Sequence, residues 1–78
     1  MDSQELQRKI DRTRRMVDQW IAAEEAVMTG QEYRIDNRML RRADLRMIGE
    51  RLKYWEDQLA MLEGQHRIRV KQIIPRNL

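Results

Sequence analysis

Two runs of apolar residues at heptad spacing constrain this chain more than any other feature. In the first, Leu6, Ile10, Thr13, Val17, Trp20, Glu24 and Val27 follow one another at intervals of 4, 3, 4, 3, 4 and 3 residues. In the second, Leu45, Ile48, Leu52, Trp55, Leu59 and Leu62 follow at 3, 4, 3, 4 and 3. Alternating steps of three and four put every member of a run on one side of an α-helix. Met16, Ile21 and Met28 widen the first stripe, while Arg8, Asp11, Arg12, Arg15 and Asp18 lie opposite. Asp11 with Arg15, Arg14 with Asp18, Glu50 with Lys53 and Lys53 with Asp57 are spaced to pair along the helices.

The first helix is expected over residues 3–28, with neither proline nor interior glycine to interrupt it. Asp2 or Ser3 caps its start, and Asp2 with Glu5 has capping-box spacing. At about 1.5 Å per residue it is roughly 39 Å long. The second is expected over residues 42–63. Asp44 favours its first turn, Gly64 is its C-cap, and a close neighbouring backbone is the expected reason for Gly49.

The stretch between the helices reverses the chain. Gly30 is the left-handed residue past the first helix. Gln31–Ile35 alternates, with Tyr33 and Ile35 on one face. Asp36-Asn37 forms a type I′ turn, and Arg38-Met39-Leu40 returns. So short a hairpin is unstable alone and must pack Tyr33, Ile35 and Met39 or Leu40 onto the helices. Folding about it runs the helices antiparallel, crossing at about +20°. This register sets Trp20 near Ile48 and Leu52, Trp55 near Met16 and Val17, and Leu6 near Leu62. The core is then Leu6, Ile10, Val17, Trp20, Leu45, Ile48, Leu52, Trp55, Leu59 and Leu62. The fold class is α+β, mostly α: two antiparallel helices joined by a β-hairpin, with an extended C-terminal arm. Residues 1–64 form the domain and residues 65–78 the arm.

Charge singles out that arm. The whole chain is +3, but residues 65–78 hold Arg67, Arg69, Lys71 and Arg76 and no acid, which leaves twelve basic and thirteen acidic groups in residues 1–64. Arg67-Ile68-Arg69-Val70-Lys71-Gln72-Ile73 alternates polar with β-branched apolar residues before Ile74-Pro75. A strand with no sheet in its own monomer is expected to order against another chain. Its partner-binding residues are Arg67, Ile68, Arg69, Val70, Lys71, Ile73 and Ile74. A second reading has Arg67, Arg69 and Lys71 contact DNA; a third is a solvated tail without a specific role.

The central stretch also resembles a family. Ala26-Val27-Met28-Thr29-Gly30-Gln31, Tyr33, Ile35, Arg38, Leu40, Arg42-Ala43-Asp44-Leu45, Ile48 and Trp55 follow the pattern of small head-completion proteins of tailed phages, similar to the lambda-type head–tail joining protein W. Position 41 is Arg, where that pattern has a threonine that caps the second helix. The resemblance covers roughly residues 17–63. It implies two antiparallel helices around a β-hairpin, a C-terminal segment needed for activity, and residence at the head–tail junction of a virion after assembly in the host cytoplasm. The implied partners are the portal protein and neighbouring connector or tail proteins, with a homo-oligomeric ring of about twelve copies.

Other residues carry less. Glu24 on an apolar position is expected to pair with Arg51 or the Tyr33 hydroxyl, since no second carboxylate is placed for acid–base work. Arg8, Arg12 and Arg15 share a face with Asp11 and Asp18, which favours a salt-bridged surface over a phosphate reader. Trp20 and Trp55 are core, and His66 makes a helix-end contact. No nucleophile–base pair, metal set, thiolate or phosphate loop can be assembled, so an enzyme and a cofactor are not expected. No apolar run approaches the roughly 20 residues that cross a bilayer. The expected function is a non-enzymatic adaptor beneath the portal that docks by its arm, helps retain packaged DNA and offers a platform for the tail. The alternative is a small nucleic-acid-binding regulator, a helical hairpin with a basic arm.

Overall fold

The computed structural model describes the backbone of residues 2–73 and the side chains of residues 2–68. The order is α1 (Ser3–Met28), β1 (Tyr33–Ile35), β2 (Arg38–Leu40), a 3₁₀ turn (Arg42–Asp44) and α2 (Leu45–Ile73). The helices pack antiparallel in an elongated body of 56 × 23 × 15 Å. The expected helical hairpin around a two-stranded antiparallel β-hairpin is what forms.

α1 has the expected limits. Asp2 Oδ1 accepts from the Glu5 N–H at 2.8 Å, so Asp2 rather than Ser3 is the cap. Leu6, Ile10, Thr13, Val17, Trp20 and Val27 are buried as their spacing demands. Ala23, fully buried, takes the place expected of Glu24, which is half-buried. The two positions lie on either side of the stripe, and the β-hairpin packs on the Ala23 side, in one cluster with Val27, Ile35 and Leu40. A small side chain there lets the hairpin approach.

α1 ends in a Schellman motif. Gly30 has φ +87°, its N–H donates to the Val27 carbonyl at 3.0 Å, and the Gln31 N–H donates to the Ala26 carbonyl at 2.9 Å. The strands pair Tyr33 with Leu40, Arg34 with Met39 and Ile35 with Arg38. This register puts Tyr33, Ile35 and Leu40 on the inner face and leaves Met39 40% exposed, which decides between the two apolar residues of β2. Of the two turn residues only Asp36 has positive φ, +54°, so the expected type I′ turn, which needs positive φ at both, is not what forms. Without a glycine in the pair, one left-handed residue costs less than two.

The core has two parts. Trp20, Ala23, Val27, Ile35, Leu40 and Ile48 form the hairpin end, with Met16, Leu45, Leu52 and Trp55 half-buried against it. Leu6, Ile10 and Leu62, with Leu59 beside them, form the far end. Thr13 is buried between them, its Oγ1 donating to the Lys9 carbonyl at 2.8 Å. Burying that hydroxyl costs little because the bond is made within its own helix.

Three expectations about α2 are corrected. It begins with a 3₁₀ turn at Arg42 and becomes α-helical at Leu45. A Cβ added to Gly49 meets nothing within 4 Å, so no neighbouring backbone accounts for that glycine. Most consequentially, α2 runs through Gly64 to Ile73, so Gly64 is not a C-cap and residues 65–73 are not an extended arm. One interior glycine costs about 1 kcal/mol, which favourable neighbours absorb. The hairpin edges lie at the opposite end of the helices from residues 67–73, whereas a helix satisfies its own backbone groups. Residues 74–78, including Ile74, lie outside the described residues.

Candidate functional site

The stretch carrying the family resemblance builds the junction of the two helices, and Thr29, Arg38, Arg42 and Asp44 each have a structural partner there. The Thr29 Oγ1 donates to the Ala26 carbonyl at 2.8 Å. The Arg42 guanidinium donates from Nη2 to the Met28 carbonyl at 3.2 Å, placing a cation where the last carbonyls of α1 point. The Asp44 carboxylate accepts from the Arg41 N–H at 2.9 Å, and the Asp44 N–H donates to the Arg41 carbonyl at 2.8 Å. Arg41 cannot accept through its side chain as a threonine would. Half of a capping box therefore survives, supplied from Asp44. Arg38 approaches Asp44 at 3.9 Å and Arg41 pairs with Glu32, tying the hairpin to the start of α2.

Gly30, Tyr33, Ile35, Asp36, Asn37 and Arg38 thus shape the junction: Gly30 and Asp36 by backbone conformation, Ile35 by burial, Arg38 by charge. The capping roles of Thr29, Arg42 and Asp44 went unassigned from the sequence. A Thr-Gly pair ending one helix, and an aspartate three residues past the chain's entry into the next, were the available signals.

The second candidate is the far end of α2. With Leu6 packed in the cluster of Leu62, α1 begins opposite residues 65–66. Residues 67–73 then extend about two turns, roughly 10 Å, beyond it. Arg67 and Ile68 are exposed, Ile68 at 58%. Arg69, Val70, Lys71 and Ile73 continue the helical backbone. The projection is therefore a helical prong in place of a ribbon.

The remaining candidates are brought to no common site. No hydrogen bond or ion pair joins Glu24 to Arg51 or Tyr33 among the described residues. Arg8, Arg12 and Arg15 are exposed on α1. The expected Asp11–Arg15 and Arg14–Asp18 pairs give way to others: Asp11 accepts from the Gln7 amide at 3.0 Å, and Arg14 crosses to Glu63 at 2.7 Å. On α2, Lys53–Asp57 forms at 3.2 Å, and Glu50 pairs with Arg46 at 3.4 Å rather than with Lys53. Among the described residues no three His, Asp or Glu are grouped to hold a metal. No described helix is long and apolar enough to cross a membrane.

Comparison with curated proteins and with solved structures finds no match. A family model does match, over residues 1–78. The chain, with its capped helix–hairpin–helix junction, belongs to DUF6148, a family of unknown function.

Proposed function

We propose that this protein is a structural connector of a tailed-phage virion, a head-completion adaptor that sits beneath the portal and presents a platform to the tail. The observation that carries the reading is the junction. The residues from Thr29 to Leu45 that resemble the head-completion family are the ones that cap α1, turn the hairpin and open α2. The fold implied by the resemblance is also the fold that forms.

In this mechanism the helical hairpin is a rigid strut, and the prong beyond α1, residues 67–73, is the docking element. Its backbone hydrogen bonds are already made within the helix, so it docks through side chains; addition of a strand to a neighbouring sheet would first require it to unwind. Single docking events of so small a surface are weak. A closed ring multiplies them by presenting many copies at fixed spacing.

The test is sedimentation of the purified protein with DNA-filled, tail-less heads bearing the cognate portal, followed by a tail-joining assay. Full-length protein is expected to co-sediment and render the heads competent for tails. A chain ending at His66 is expected to remain folded but to fail in both. Absence of binding to portal-bearing heads, together with tight binding to free duplex DNA that falls steeply with added salt, would overturn this reading in favour of the nucleic-acid-binding alternative.

A further inference from the structure

The seam between α1 and α2 has two unlike sides. On one, the Arg14–Glu63 ion pair bridges the helices at 2.7 Å over a single hollow of about 240 Å³ whose lining, Ile10 apart, is polar or charged. On the other the seam stays open as two adjoining hollows of about 480 and 250 Å³, which share Trp55 in their lining. The open side is apolar at its floor, with Met16, Trp20 and Trp55, and apolar along its α2 wall, with Met47, Tyr54 and Met61. Three of the six methionines of the chain line it. Flexible, polarisable thioethers suit a surface that must fit a partner side chain by side chain.

Periodicity identifies the shape of the partner. Met47, Tyr54, Met61 and Ile68 recur at intervals of seven residues. Tyr54, Met61 and Ile68 are each at least half exposed. Such a stripe, packed on the core at Met47 and exposed from Tyr54 onward, is what α2 would present to a third helix. From Met47 to Ile68 the rise is about 32 Å, room for some 21 residues of helix.

Charge identifies its chemistry. The rim carries Lys9 and Arg12 from α1, Arg38 from β2 and Arg51 from α2, against the single carboxylate of Asp36.

We propose that the open side of the seam is a docking groove for an amphipathic helix with an acidic polar face, supplied by another protein. A second copy of this chain fits poorly. The outer face of α1 carries Arg8 and Arg15 beside Asp18, and on α2 the exposed Glu50 and Asp57 are paired with Arg46 and Lys53 beside one further acid, Glu56, so neither helix offers a continuous acidic face. The segment 74–78 has Arg76 and no acidic side chain, so it does not answer the rim either. The groove shares only Ile68 with the prong, and neither hollow is lined by it.

The probe is a synthetic peptide of about 21 residues, with leucine at heptad a and d positions and glutamate elsewhere. Its controls are the same peptide with lysine for glutamate, and a scrambled acidic peptide lacking the heptad. Binding to the full chain is read by tryptophan fluorescence and by methionine-methyl and indole NMR. The acidic heptad peptide is expected to bind saturably, shifting the methyls of Met16, Met47 and Met61 and the Trp20 indole N–H. A K9E/R12E double variant, altering only exposed side chains, is expected to weaken it at least tenfold. Equal binding of the scrambled or lysine peptide, undiminished binding to K9E/R12E, or shifts outside the groove would overturn the proposal. So would concentration-dependent self-association that perturbs the same methyls while the peptide has no effect.

Discussion

The guanidinium of Arg42, at the entrance to the second helix, donates to the carbonyl of Met28, at the exit of the first, at 3.2 Å. The two residues are fourteen apart in sequence and joined only through the hairpin. The bond therefore closes the reversal of the chain and caps α1 in the same step. Asp44 does the complementary work on the other helix by accepting from the Arg41 N–H.

Replacing Asp44 by Ala removes that cap and the carboxylate that Arg38 approaches. The expected loss is about 1 kcal/mol, seen as a fall in Tm of about 4–8 °C for a domain of this size. Asp44→Asn keeps an acceptor and should retain most of the stability. Thermal melts of the two variants side by side check this. Equal losses would mean that the charge, not the cap, is what matters.

The three glycines should respond differently to alanine. Gly30→Ala places a side chain at φ +87° and is expected to destabilise by roughly 1–2 kcal/mol, although there is space for the methyl. Gly49→Ala and Gly64→Ala meet nothing within 4 Å inside a helix and should each stabilise by about 1 kcal/mol. Urea titrations measure all three. Gly64→Ala is the sharpest check on the long second helix, because a left-handed C-cap at that position would be destabilised instead.

Neighbouring residues of β2 should differ widely. Leu40 is fully buried in the cluster with Trp20 and Ile48, so Leu40→Ala is expected to cost about 2–5 kcal/mol. In so small a domain that suffices to populate the unfolded state at ambient temperature. Met39, 40% exposed on the outer face, should tolerate alanine within about 0.5 kcal/mol. Far-UV circular dichroism against temperature separates them, and a reversed order would mean that the strand register is shifted by one.

Thr13→Val is expected to stabilise. The Thr13 hydroxyl donates to a carbonyl of its own helix, so removing it strands no other group. The added methyl would lie between the two apolar clusters. A gain of about 0.5–1 kcal/mol in chemical denaturation is expected. A loss of stability would show that the Thr13 hydroxyl is satisfied by more than its helix.

Much of the fold was legible because its determinants are local. Helix periodicity, the Asp2 cap and the Gly30 stop act within one or two turns, and α1 emerges with the limits its spacing implies. The candidate site was legible only in part. The basic end of the chain is plain in composition, but its alternating residues through Ile73 form helix, since the hairpin's strand edges lie at the other end of the molecule. The heptad of Met47, Tyr54, Met61 and Ile68 was present in the sequence, overshadowed by the stronger stripe beside it.

By itself, the sequence determined that two amphipathic rods would fold back on each other through a tight reversal. Only the tertiary structure decided which of two adjacent residues faces inward, Ala23 over Glu24 and Leu40 over Met39. It also decided that an ion pair bridges one side of the seam while the two adjoining apolar hollows open on the other. Periodicity specifies a face to within about a third of a helix circumference; the remaining choice belongs to whatever packs against that face, and a chain read in one dimension does not contain its neighbours.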